Sequence, residues 1–126
     1  MNDQVSASKE VIQKMFKLFP DYLFAKVSYA NMLIDAGEIV RAIEVFQHKT
    51  DLNQLYPERK VFHFTEVASY FGTLCRYYTA MDNINLADAY MHFLIKNNMS
   101  SLSGQSVANL AMTELCIAKI AKLDAL

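Results

Sequence analysis

The sequence predicts an all-α fold, and three observations support that prediction. Apolar residues recur at spacings of three and four, as in Ile12, Met15 and Phe16, which is the spacing of one helix face. The 126 residues include only 3 glycines and 2 prolines, fewer turn residues than an all-β chain needs. The chain of 126 residues is long enough to bury a core without disulfides or metal ions, and hydrophobic residues make up 53% of it. We therefore expect residues 1–126 to form a single helical domain.

Periodicity and helix-ending residues predict six helices. Pro20 ends the first helix, and Gly37 ends the second in the left-handed conformation that glycine adopts at low cost. Pro57 suits the first turn of the fourth helix, where its missing N–H would have no partner anyway. Ser106 can cap the last helix after a loop over residues 97–104. The predicted helices are about Ser6–Phe19, Tyr22–Ala36, Glu38–Lys49, Glu58–Ala80, Ile84–Lys96 and Val107–Leu123.

A pattern of small and large residues occurs twice, 45 residues apart. Each copy begins with a small residue and has a large residue at the third position after it. An alanine follows nine positions after the large residue, and a large apolar residue follows four positions after the alanine. The two copies are Ala30, Leu33, Ala42 and Phe46, then Cys75, Tyr78, Ala87 and Met91. Small residues let two antiparallel helices approach closely, and the large residues fill the space opposite. A partial copy precedes them, because Ile12 lies 34 residues before Phe46.

This pattern resembles the tetratricopeptide-repeat (TPR) family over about Ser8 to Leu94. The resemblance implies antiparallel helical hairpins stacked as a short right-handed TPR-like solenoid of about six helices. The chain departs from the family at Lys26, where a large aromatic or apolar residue is usual, and at Asp82, where a turn glycine is usual. The spacing of 45 also exceeds the ~34 residues of a regular array. The alternative is a generic helical bundle whose alanines fall in register by chance.

The resemblance implies a protein-interaction or scaffold module that binds a peptide or a partner protein in a groove lined by the first helix of each pair. Asn31 and Arg76 occupy the same position in their repeats, and arginine suits a carboxylate or a carbonyl. Pairing of Arg76 with a nearby glutamate is the alternative. A carboxylate clamp does not fit, because Val27 and Thr73 hold the neighbouring positions. The groove positions carried over from the family are Phe24, Val27, Asn31, Ile34, Ser69, Gly72, Arg76 and Thr79.

The sixth predicted helix is apolar nearly all round, and such a helix is normally buried. We expect a second copy, a partner or further chain to cover it, with Leu110, Ile117 and Ile120 as an oligomer interface. The chain opens on the second helix of a repeat and closes on an unpaired helix. The alternative function is therefore an oligomerisation or sensory fragment of a larger regulatory protein.

The chemistry of a catalytic or metal site is missing from the sequence. No glycine-rich loop or serine elbow occurs, and the glutamates are scattered, so we expect neither an enzyme nor a bound cofactor. His63 and Glu66 lie one turn apart, but two ligands make a weak metal signal. Cys75 and Cys116 lack zinc spacing and are expected to be buried thiols in the cytoplasm.

Charge and hydropathy exclude two further classes of partner. A net charge of −1 is not the electrostatic footprint of a nucleic-acid-binding protein. No stretch approaches the ~20 apolar residues of a membrane span. The fourth predicted helix is rich in aromatic residues, and one of its faces has two possible roles. Tyr70 and Tyr77 share this face, which either binds a peptide or packs on the loop over residues 50–57.

Overall fold

The computed structural model describes residues 2–97 and 106–125, with side chains described for 8–97 and 107–125. This part of the chain contains seven helices and no strand, which confirms the all-α prediction. The chain divides into two compact units, unit 1 (residues 1–48) and unit 2 (residues 49–126), where the sequence suggested one domain. The helices are α1 (Asn2–Leu18), α2 (Leu23–Asp35), α3 (Ile39–Val45), α4 (Leu52–Leu55), α5 (Phe64–Ala80), α6 (Ile84–Lys96) and α7 (Ser106–Asp124).

The predicted helices differ from the structure in several places: α1 begins at Asn2 and not at Ser6, the short α4 was not predicted, and two other boundaries are wrong for local reasons. The third helix ends at Val45, because Gln47 and His48 adopt left-handed backbone angles with φ of 57° and 60°. The fourth predicted helix begins at Phe64 and not at Glu58. The Glu66 carboxylate reaches back to accept a hydrogen bond of 2.9 Å from the His63 backbone N–H, which places the helix start there.

The turn that ends the first helix of each predicted repeat recurs with the same hydrogen bonds 45 residues later. Gly37 N–H donates to the Ile34 carbonyl at 3.0 Å, and Asp82 N–H donates to the Thr79 carbonyl at 3.1 Å. Both turn residues have positive φ, 82° at Gly37 and 60° at Asp82. Aspartate tolerates this region better than most residues, so it can replace the glycine.

In unit 1, α2 contacts both α1 and α3. The Phe16 and Tyr29 rings stack between α1 and α2 with centroids 4.6 Å apart. The apolar spacing on α2 and α3 predicts an inward-facing set, and every member except Ile39 is buried; Ile39 is half-buried. The buried members are Val27, Ala30, Leu33, Ile34, Ala42, Ile43 and Phe46. The same apolar spacing includes Val11 and Phe19 of the first predicted helix, but both of these side chains are exposed.

In unit 2, α5 packs against both α6 and α7. Phe71 meets Tyr90 and Phe93 edge to face, with ring centroids 5.2 and 5.0 Å apart. Small residues from all three helices let the backbones approach closely at the centre of the unit. The buried core consists of Ala68, Cys75, Ala87, Met91, Leu94, Ala108, Ala111 and Leu115.

The first residues of unit 2, Lys49 and Thr50, accept hydrogen bonds from tyrosine hydroxyls of α5 and α6. Tyr70 is fully buried and donates to the Lys49 carbonyl at 2.7 Å, while Tyr90 donates to the Thr50 carbonyl at 3.4 Å. Leu52 and Leu55 of α4 are also buried. Of the two alternatives for Tyr70, packing on the connecting segment is therefore the one observed. Residues 98–104 of the predicted loop and the capping side chain of Ser106 lie outside the described residues.

Candidate interaction surfaces

The four predicted groove residues of unit 1 lie on α2 with unequal exposure. Phe24 and Asn31 are half-buried, whereas Val27 and Ile34 are buried, with 5% and 8% of their surface exposed. The Asn31 side-chain amide donates to the Val27 carbonyl one turn earlier at 2.8 Å. Phe24 and Asn31 are therefore the members of this group that can reach a partner directly.

The predicted groove residues of unit 2 lie on α5. Ser69 and Thr79 are half-buried, and the Thr79 hydroxyl donates to the Cys75 carbonyl at 2.9 Å. Gly72 is buried against the start of α7. The groove itself needs α2 and α5, which belong to different units, so it stays a prediction.

Arg76 is held by a carboxylate that is distant in the sequence. Its Nε and Nη2 donate to the two carboxylate oxygens of Glu114, at 2.9 and 3.1 Å. The Arg76 side chain is only 3% exposed, and the Glu114 side chain is 33% exposed. This fork geometry is the strong form of an arginine–carboxylate pair. The guanidinium is consequently not open to a partner, and the observed pairing is the alternative that the sequence left open.

Helix α7 contacts the rest of unit 2 at Gly72 and through three ion pairs, one of which is Arg76–Glu114. A Cβ atom at Gly72 would lie 3.0 Å from Val107 Cγ1 and 3.4 Å from the Ala108 backbone nitrogen. Lys119 pairs with Asp88, and Lys122 pairs with Asp82 at 3.2 Å. These two pairs are exposed and add little stability. The close approach at Gly72 and the Arg76–Glu114 pair therefore define the register of α7.

The outer side of α7 carries an apolar stripe, which we call the outer α7 stripe. It comprises Leu110, Ile117, Ile120 and Leu123, with 41%, 62%, 57% and 68% of their surface exposed. The opposite side of the helix is buried in the core through Ala108, Ala111 and Leu115. The three predicted oligomer-interface residues thus share one exposed side, and Leu123 extends it.

Cys116 adjoins the stripe and is exposed, so the prediction that both thiols are buried is wrong for this residue. Cys75 is buried, and burial raises the pKa of its thiol to about 11. We therefore expect thiol reagents to modify Cys116 faster than Cys75, because they can reach the exposed thiol directly.

Two features of this surface are not evident from the sequence pattern. Glu114 was one of several scattered glutamates, and nothing local pairs it with an arginine 38 positions earlier. The resemblance to TPR proteins implies that Gly72 faces a groove, whereas in the structure its backbone contacts the start of α7. A lone glycine in a helix interior costs ~1 kcal/mol relative to alanine, and this was the available hint of a close contact.

Comparisons with protein-family models, curated proteins and solved structures find no match for this chain. Among the described residues, no three histidine, cysteine or acidic side chains are grouped as a metal site would need. Within the same residues, none of the helices has the length and apolar character needed to cross a membrane.

Proposed function

We propose that this chain is a protein-interaction module whose main docking surface is the outer α7 stripe. The observation that carries the proposal is the exposure of four large apolar side chains along one side of a helix. Contiguous exposed apolar side chains mark interaction sites on soluble domains. The opposite side of α7 is anchored by Gly72 and Arg76, so the stripe is presented on a rigid support.

The partner that fits such a surface is an amphipathic helix of another protein. Leu110 and Ile117 are seven residues apart, and Ile117 and Ile120 are three apart, which is the spacing that pairs helices through one apolar seam. No acidic or basic side chain belongs to the stripe, so apolar contact would supply most of the affinity.

We also propose that each unit contains a TPR-like hairpin, and that the accessible residues of α2 and those of α5 each provide a further contact region. Support comes from the identical turns at Gly37 and Asp82 and from the burial of Ala30, Cys75 and Ala87. Phe24 and Asn31 of α2 and Ser69 and Thr79 of α5 would be the accessible contacts.

Self-association is the second candidate, and the heptad spacing of the stripe favours it. A second copy of α7 carries the same apolar seam, so two stripes can bury each other as in a two-stranded coiled coil. Sedimentation velocity over a range of concentrations tests this candidate. A concentration-dependent dimer supports self-association, and a monomer at all concentrations contradicts it.

The experiment for the main proposal is affinity capture from lysate followed by mass spectrometry, with three forms of the protein as bait. The wild type and a Val40→Glu control should capture the same partner, whereas the double variant Ile117→Glu/Ile120→Glu should lose it. Val40 is a matched control because it is 59% exposed, close to Ile117 at 62%, and lies on α3 of the other unit. Equal capture by all three baits would refute the stripe as the docking surface.

A further inference from the structure

Unit 1 contains a cavity between the end of α1, α2 and α3, with a volume of about 360 Å³. Pockets that bind small molecules usually have volumes of ~300–1,000 Å³. One wall is apolar and aromatic, formed by the stacked rings of Phe16 and Tyr29 together with Leu33. The cavity is therefore large enough for a small organic molecule and has a surface for its apolar part.

The polar lining of the cavity combines both signs of charge. Lys26 and Arg41 are the cations, and Asp21 and Glu44 are the carboxylates. Lys26 is only 3% exposed, which is rare for a lysine, because burial of an ammonium requires compensating groups. The Lys26 ammonium therefore contributes positive charge to the lining, which would attract an anionic group of a ligand.

Arg41 and Glu44 lie one turn apart on α3 but do not pair with each other. Arg41 instead donates from Nη1 to Glu38 at 2.9 Å and from Nη2 to the Tyr29 hydroxyl at 3.1 Å. A guanidinium carries five N–H donors, so Arg41 retains further donors. The Glu44 side chain has no hydrogen-bond or ion-pair partner within the part of the chain that the structure describes. The cavity thus offers spare donors and a spare acceptor side by side.

We propose that this cavity binds a free α-amino acid with an apolar side chain. The ligand carboxylate would accept a hydrogen bond from Arg41 and be attracted by the charge of Lys26, and the ligand ammonium would donate to Glu44. The apolar side chain would lie against the rings of Phe16 and Tyr29. The mixed charge selects this class, because a dianion such as phosphate would face Asp21 and Glu44, and a simple amine would face both cations.

Isothermal titration calorimetry of the full chain tests the proposal with L-phenylalanine and L-leucine as probes. Saturable binding of at least one amino acid is expected. The control ligands are 3-phenylpropanoate, which lacks the ammonium, and 2-phenylethylamine, which lacks the carboxylate. Each should bind about tenfold more weakly than L-phenylalanine, because a hydrogen bond to a charged group is lost. Absence of binding by both amino acids, or stronger binding of either analogue, would overturn the proposal.

Two substitutions at exposed positions separate the two halves of the site. Glu44→Gln should weaken L-phenylalanine about tenfold but should not weaken 3-phenylpropanoate, because the ammonium contact is lost while repulsion of a lone carboxylate is relieved. Arg41→Gln should weaken both of these ligands but should not weaken 2-phenylethylamine, because the cation that repels an amine is removed. Glu58→Gln, an exposed substitution in unit 2, is the control and should leave all three affinities unchanged. Unaltered binding of L-phenylalanine in both the Glu44→Gln and Arg41→Gln variants would place the ligand elsewhere and contradict the site.

Discussion

The guanidinium of Arg76 on α5 donates hydrogen bonds to both carboxylate oxygens of Glu114 on α7, at 2.9 and 3.1 Å. The two residues are 38 positions apart, and their exposure is unequal, since the arginine is 3% and the glutamate 33% exposed. If Arg76 is removed, water can hydrate the half-buried Glu114 carboxylate. If Glu114 is removed, water cannot easily reach the buried Arg76 guanidinium. The two removals should therefore change the stability of the protein by different amounts.

Glu114→Ala should destabilise the protein more than Arg76→Met does. The first change takes the carboxylate from a buried guanidinium, a loss that typically costs about 1–3 kcal/mol. The second change leaves a carboxylate that water can reach and keeps much of the apolar contact. Urea unfolding of both variants checks the order. Glu44→Gln serves as the control, because Glu44 is exposed, and its effect should stay within about 0.5 kcal/mol. Equal losses at Glu114 and Arg76 would contradict this explanation.

The close approach of Gly72 to Val107 predicts an interaction between substitutions at the two positions. Gly72→Ala should gain helix propensity but place a Cβ atom 3.0 Å from Val107 Cγ1. The β-branched valine has little rotamer freedom with which to move away. In a Val107→Ala background that side-chain contact disappears, so Gly72→Ala should be more favourable there, by about 0.5–3 kcal/mol. A double-mutant cycle from thermal unfolding measures the difference, and a zero interaction energy would show that α7 does not lie against Gly72.

Ala87 lies in the core of unit 2 with none of its surface exposed. Replacing it with leucine would overpack the contact between helices and should cost about 1–3 kcal/mol. The same replacement at the exposed neighbour Asn85 should cost little. Differential scanning calorimetry of the two variants checks this, and equal melting temperatures would remove support for the predicted repeat pattern.

The Glu66 carboxylate has a pKa lowered to about 2, first by hydrogen bonds from Arg59 and then by the His63 backbone N–H. A lowered pKa in the folded state stabilises the protein when the pH lies above the unfolded value of about 4.5. The stabilisation is lost as the pH falls from about 4.5 toward 2. Glu66→Gln should therefore lower the melting temperature at pH 7 and approach the wild type at pH 3. A melting-temperature difference that is constant with pH would be inconsistent with this pair.

The helical pattern could be predicted because it depends on local spacing and on residues that end helices. Gly37 ends α2 as expected, and the buried face of α2 follows from its apolar periodicity. The start of α5 could not be predicted, because it depends on Glu66 reaching back to His63 and on the Arg59 side chain. The Arg76–Glu114 pair could not be predicted from the sequence either, because only the packing of α7 on α5 brings the two residues together.

The interaction surface was predicted in part. An almost uniformly apolar α7 indicated that the helix needs cover on several sides, but its periodicity is too weak to show which side faces the core. The structure resolves this by burying Ala108, Ala111 and Leu115, which leaves Ile117 and Cys116 outside.

The rate at which Cys116 reacts with iodoacetamide tests the proposed interaction surface most directly. Cys116 is exposed beside the outer α7 stripe, whereas Cys75 is buried and serves as an internal reference. Peptide mass spectrometry should show Cys116 alkylated quickly in the isolated protein and slowly once the captured partner is added. With the Ile117→Glu/Ile120→Glu variant, adding the same partner should leave the reaction fast. An unchanged Cys116 rate in the wild type with bound partner would contradict the claim that the partner covers this side of α7.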